Sequence, residues 1–265
     1  MPRECFSRNP RNHCCNGHDI GFWLPSRTLA SGTTHRTIDV NRLPPLLSTI
    51  AGMADITGFL TMGNLFTAHV TGNLVVLAAD IARDGAARVA QIAIVPVFMA
   101  AVAAAWTMAR FANRRGVSPM RVLLWVQFVL LTCVLVFSVA SNPSAHPTSD
   151  LAGVGALIAV CSMASQFALL RLTLPGAPQT AAMTGNVTDA VLSVLDTLFH
   201  QRSVTGDSKD RLRRSGQVLG GFFGGCVIGG VAVHLVSDWA WMLPTGLAAL
   251  ALTLHEEHPR RNGAI

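Results

Sequence analysis

Thr67-Ala68-His69-Val70-Thr71-Gly72-Asn73-Leu74 and Thr180-Ala181-Ala182-Met183-Thr184-Gly185-Asn186-Val187 are two passes of one pattern. Thr-Ala-x-x-Thr-Gly-Asn followed by an aliphatic residue recurs at an offset of 113. Five identities inside matching apolar surroundings point to an internal duplication. Working outward, the halves are about 45–141 and 151–254, joined by the polar Asn142–Asp150 loop. Each motif interrupts an otherwise apolar segment, at about 65–82 and 180–199.

Six further runs are apolar over nearly their whole length: 45–63, 89–111, 120–141, 151–172, 216–237 and 238–254. A helix needs about 20 apolar residues to cross about 30 Å of hydrocarbon. The chain is 51% hydrophobic and only 13% charged, with mean hydropathy +0.44. Soluble domains carry about 25% charged residues. An all-α polytopic membrane protein is therefore expected, and a soluble enzyme, a disordered regulator and a secreted disulfide scaffold are excluded. Trp106, Trp125, Trp239 and Trp241 fall near run ends, as an interfacial belt requires. Arg110, Arg121, Arg171 and Asp238 also lie at ends, where a charged head reaches water at little cost.

The net charge of +6 does not indicate nucleic acid, because the basic residues sit in bursts between apolar runs rather than among aromatics. Their distribution instead reports orientation. If the two motif segments do not cross, 18 basic residues fall inside and two, Arg83 and Arg88, outside. If both cross, the division is 15 to five. Six crossings are favoured, giving a three-plus-three inverted repeat with both termini cytoplasmic. Residues 1–43 and 255–265 are polar and read as tails, the first without regular structure and without the apolar core of a signal peptide.

At each motif the local chemistry suggests a broken or re-entrant helix. Thr71 or Thr184 can cap orphan amides, Gly72 or Gly185 permits a sharp turn, and Asn73 or Asn186 offers donor and acceptor together. Paired half-helices near the bilayer midplane form binding sites in transporters. A continuous helix with Gly packing against a neighbour is the alternative. Asp55, twelve residues before Thr67, is the one ionised residue deep in a run. An intramembrane acid marks an ion or substrate path by default, unless it only caps a broken helix. Gln166, fourteen residues before Thr180, stands in nearly the equivalent place. Asp189 and Asp196 share one helical face after the second motif and lack acidic counterparts in the first half.

Gly216, Gly220 and Gly224 form one small-residue row, and Gly221, Gly225 and Gly229 another. Both are expected to pack within the molecule, with homodimerisation the lesser use. Ala100, Ala101, Ala103, Ala104 and Ala105 give the corresponding first-half run a similar surface. No catalytic, cofactor or metal constellation is expected. Cys5, Cys14 and Cys15, with His13 and His18, lack ligand spacing. His255-Glu256-Glu257-His258 has the wrong order for a zinc helix. Cys133, Cys161 and Cys226 read as buried thiols, and His69, His200 and His234 as isolated.

Over about residues 44–254 the chain resembles the YoaK-like family of bacterial multi-pass membrane proteins, whose domain has no assigned function. The likeness rests on Ala51-Gly52-Met53-Ala54-Asp55, on Thr71-Gly72-Asn73, and on Met183-Thr184-Gly185-Asn186-Val187-Thr188-Asp189. His69 stands where the family often has Asn, and Ala164 and Phe167 where it typically has Gly and Asn. The resemblance implies a bacterial inner-membrane location. The residues themselves suggest a small-solute or ion carrier, and otherwise a scaffold or accessory subunit acting through the glycine-rich helix. Its partners would be the lipid bilayer and an unidentified small solute or ion.

Overall fold

A computed structural model describes residues 43–83, 88–174, 176–180, 183–199 and 207–256. Each apolar run becomes a helix. In chain order these are α1 (Leu43–Thr61), α2 (Val70–Ala82), α3 (Val89–Arg114), α4 (Pro119–Ser141), α5 (Asp150–Thr173), α6 (Met183–Leu198), α7 (Asp207–Val236) and α8 (Met242–Glu256). Short 3-10 turns at Pro143–Ala145 and Ser237–Trp241 follow α4 and α7. There is no strand among the described residues.

The helix ends have local causes. Pro44 and Pro45 occupy the first turn of α1 and Pro119 opens α4, positions where a missing N–H costs nothing. Asn142, in the left-handed region at φ 46°, ends α4. The Ser149 hydroxyl caps α5 by accepting from Ala152 N at 3.2 Å. Arg88 N donates to Gln91 Oε1 at 2.9 Å at the start of α3. α7 opens at Asp207, earlier than its apolar run, so Arg211–Arg214 are helical rather than part of a loop.

Five stretches are long and apolar enough to span a membrane: α1, α3, α4, α5 and the 45-residue Asp210–Leu254, which the turn at Ser237–Trp241 divides. α1 and α5 are the central helices, with 12 of 19 and 14 of 24 residues buried. α3, by contrast, turns most of its surface outward. A set of four helices with a short second member occurs twice, α8 being shorter than its counterpart α4 at 15 residues against 23, and the packing pairs match. α1 packs on α7 as α5 packs on α3, α4 on α5 as α8 on α1, and α2 on α3 as α6 on α7.

Burial is inverted relative to a soluble protein. Val75, Val89, Phe223 and Leu235 are between 71% and 75% exposed, while Ser48, Asp55, Thr67, Asn73, Gln127 and Gln166 are enclosed. Water would penalise that outer surface; lipid does not.

Three sequence expectations change. Trp241 is fully buried, so it is a core residue and not part of an interfacial belt, unlike the half-exposed Trp106, Trp125 and Trp239. Asp238 is buried too: the Ser144 hydroxyl donates to its Oδ2 at 2.5 Å and Ser144 N to its Oδ1 at 3.3 Å, so it ties the two 3-10 turns together. The glycine rows divide. Cβ atoms at Gly221, Gly225 and Gly229 would collide with α1 at Pro45, Thr49 and Met53, whereas at Gly216, Gly220 and Gly224 they would meet no described atom within 4 Å. Only one row packs internally; the other faces outward. On α3 the inward alanines are Ala105, Ala109 and Ala112, and Ala100, Ala103 and Ala104 are exposed.

Candidate functional site

The first motif is built around a carboxylate. α1 stops at Thr61 and α2 begins at Val70, inside the motif, with an irregular stretch between them. Gly58 lets that stretch close on α1, since a Cβ there would lie 2.7 Å from Thr67 Cγ2. Asp55 Oδ1 then accepts from three successive amides: Thr67 N at 2.7 Å, Ala68 N at 2.7 Å and His69 N at 3.4 Å. The Thr67 hydroxyl adds a bond at 3.3 Å, and His69 Nδ1 pairs with Oδ2. Successive amides converging on one acceptor make an anion nest, and here the anion is part of the chain.

Asn73 completes the closure. Its Oδ1 accepts from Phe66 N at 2.8 Å and its Nδ2 donates to Phe66 O at 2.7 Å, so the amide pairs with a backbone unit seven residues back. Phe222 of α7 meets the His69 ring edge-on, with centroids 5.2 Å apart. Thr71 does not cap: the cap position is His69, without a side-chain bond, and Thr71 is exposed in the first turn. Gly72 sits tightly against Phe66, 3.1 Å from an added Cβ to Cδ2.

The second motif uses the same plan with neutral groups. Gln166 Nε2 donates to the Thr180 hydroxyl at 2.9 Å and to Leu47 O of α1 at 2.9 Å, while its Oε1 accepts from Gln127 Nε2 at 2.7 Å. Gln166 thus fastens Thr180 as Asp55 fastens Thr67. The Ser48 hydroxyl reaches Val218 O at 2.7 Å and Thr180 O at 3.2 Å. Asn186 Nδ2 donates to Gln179 O at 2.6 Å, again seven residues back. No partner of Asn186 Oδ1 occurs among the described residues, so this clamp is half of the one at Asn73. Thr184 is exposed and is the second residue of α6, and residues 181–182 before that helix lie outside the described ones.

A cavity of about 600 Å³ opens beside this second motif. Gly185, Asn186 and Asp189 line it, with Gln179, and Arg171 from α5 and Arg211, Arg214 and Ser215 from α7 complete the polar wall. Gly176, at φ +90°, makes the turn that carries the 176–180 wall past it. Asp55 and Asn73 lie outside that lining, so the expected residues fall into two sets: a closed one around Asp55, His69 and Asn73, and an open one around Gly185, Asn186 and Asp189. The Asp196 side chain and the cysteine and histidine cluster of residues 5–18 lie outside the described residues. Among the described residues no three His, Cys, Asp or Glu side chains gather as a metal site.

Sequence reasoning missed Gln127, the arginines as a group, and the link from Gln91 Nε2 to Asp80 Oδ2 at 2.6 Å that holds α2 to α3. Gln127 carried a legible signal, a single amide inside the apolar run 120–141. Arg211, Arg214 and Ser215 have helical spacing, but they precede the apolar run 216–237, where hydropathy gives no sign of the helix.

An all-helical bundle with an apolar exterior, a hydrogen-bonded polar centre and short broken helices defines a polytopic membrane protein. Its family is the one described as "Protein of unknown function (DUF1275)": the chain belongs to it, matching over residues 43–254, which bears out the resemblance to YoaK-like proteins. No curated protein and no solved structure matches the chain.

Proposed function

We propose that this protein is a bacterial inner-membrane carrier of a small solute or ion, built as a duplicated bundle whose working centre is the pair of Thr-Gly-Asn segments. One observation carries the reading: two short helices begin at the same repeat positions, each tied by an Asn side chain to the backbone seven residues upstream. Broken helices with unwound backbone at a repeat interface are how carriers expose polar groups in lipid. In this reading the first segment is a locked support and the second is the mobile, ligand-facing partner. Asp55 acts there by holding the support, and its coupling to an ion would proceed through release of His69. No catalytic step is involved. The matching packing pairs favour the duplication.

The test is uptake into proteoliposomes of a panel of inorganic anions, amino acids, sugars and divalent cations. A substrate taken up by the native chain should not be taken up by the N73A/N186A variant, provided that variant still inserts. Undiminished uptake by a properly inserted variant would remove the site from this pair of residues.

A second reading has its own observation, the outward row Gly216, Gly220 and Gly224. A small-residue stripe facing lipid suits close approach of another helix. As a scaffold or accessory subunit the protein would use this row, most simply against a second copy of itself, and the Thr-Gly-Asn segments would be dispensable.

A further inference from the structure

The cavity beside α6 has a charge pattern that carriage of an unspecified solute does not explain. Its volume of about 600 Å³ lies within the range of small-ligand sites. Arg171 stands in the last turn of α5, and Arg211 and Arg214 lie three residues apart, neighbours on one face of α7. None of the three is ion-paired among the described residues, where Asp55 and His69 form the one ion pair. Among the described residues Asp189 is the single carboxylate on the wall. Three guanidiniums against one carboxylate leave this exposed wall with about two positive charges in excess, which suits a ligand with about two negative charges.

Uncharged groups agree with this. Ser215 is 3% exposed, lines the cavity, and its hydroxyl makes no hydrogen bond among the described residues. A hydroxyl that opens on the cavity with no partner among those residues is free to bond a ligand there. Asn186, 4% exposed, has its Oδ1 in the same condition, ready to accept from a protonated ligand oxygen. An added Cβ at Gly185 would meet no described atom within 4 Å, so the first turn of α6 is open to a ligand. Guanidinium forks match the oxygens of phosphate, which carries about −1.5 to −2 charges near neutral pH.

We propose that this cavity binds a phosphate dianion, either free inorganic phosphate or the phosphomonoester headgroup of a membrane lipid. Arg211 and Arg214 grip the oxygens from α7, Arg171 closes from α5, and Ser215 donates from below. The inference rests on the carrier reading only in making the second segment the ligand-facing one.

Thermal unfolding of the purified full chain tests it, with inorganic phosphate against chloride at equal ionic strength in detergent, and in phosphatidylcholine vesicles with and without phosphatidic acid. A saturable rise in Tm with phosphate is expected, since a ligand bound only by the folded state stabilises it. R211Q/R214Q should weaken the apparent affinity at least about tenfold. Both arginines are exposed, so this variant should unfold like the native chain when no phosphate is present. R110Q, at an exposed arginine stacked on Trp106 away from the cavity, should keep the full effect. A phosphate shift lost in R211Q/R214Q assigns free phosphate; protection found only with phosphatidic acid, and lost in the same variant, assigns the lipid headgroup. No shift in either arm, or a shift that R211Q/R214Q retains, overturns the proposal. Phosphate bound while no member of the uptake panel is carried would leave the anion site standing and remove the carrier. Uptake of an uncharged solute with no phosphate effect would do the reverse.

Discussion

At the scale of single residues, Asp55 and His69 decide how the first motif is held. A carboxylate surrounded by three amides, a hydroxyl and an imidazole has its acceptor capacity filled by the chain. Removing it strands several buried donors, each worth about 1–3 kcal/mol when unsatisfied. D55A should therefore lower stability by about 3 kcal/mol or more, read as the loss in denaturant midpoint of the purified protein. D55N retains Oδ1 for the amides and should lose less than half as much. H69N, carrying the residue the family often has there, can donate an amide N–H to Asp55 Oδ2 and should fold with near-native stability. A D55A protein as stable as the native chain would mean the amides find other acceptors, and the carboxylate would not be what holds the loop. The sequence identified Asp55 and its depth in the helix. It did not identify the carboxylate's partners, because three of them are backbone N–H groups, which no side-chain pattern encodes.

Among elements, α7 is the helix with the clearest division of labour. Gly221, Gly225 and Gly229 let it lie against α1 so closely that a Cβ at Gly225 would stand 2.3 Å from Thr49 O. Backbone on both sides leaves nothing flexible to move aside, so G225L should cost about 2 kcal/mol or more through overpacking and loss of the α1–α7 contact. G220L/G224L enlarges the outward row instead and should leave the unfolding midpoint nearly unchanged. If that row joins two copies, single-cysteine cross-linking along it should yield a dimer in the native background and fall severalfold in G220L/G224L. Equal cross-linking in both backgrounds would discard the dimer reading. The two rows were legible as rows, being a spacing of four repeated along one helix. Which row faced inward was not, since consecutive glycines carry no side chain whose polarity could distinguish the two faces.

For the whole molecule, the number of crossings fixes the symmetry, and element lengths now bear on it. Thirteen residues of α2 rise about 20 Å and sixteen of α6 about 24 Å, both short of the about 30 Å of hydrocarbon. Neither reaches across unaided. The 15 residues of α8 do so only together with the 3-10 turn before them. The proposed three-plus-three arrangement counts α1, α3 and α4, then α5 and the two parts of Asp210–Leu254. The last stretch has 45 residues, about twice what one crossing needs, and Ser237, at φ 49°, begins the turn that divides it. In that arrangement the halves run in opposite senses, and 18 basic residues fall inside against two outside, compared with 15 to five if α2 and α6 also cross. Single cysteines at Arg114 and Lys209, in a background without the native cysteines, should therefore both react with a membrane-impermeant maleimide only after the cytoplasmic face is opened. Labelling on opposite faces would mean that α2 and α6 complete crossings with help from their irregular flanks. The halves would then be parallel, and the end of α5 and the start of α7 would belong to opposite faces. Arg171, in the last turn of α5, and Arg211, near the start of α7, line one cavity, and that shared position favours an α6 that returns to the face it left.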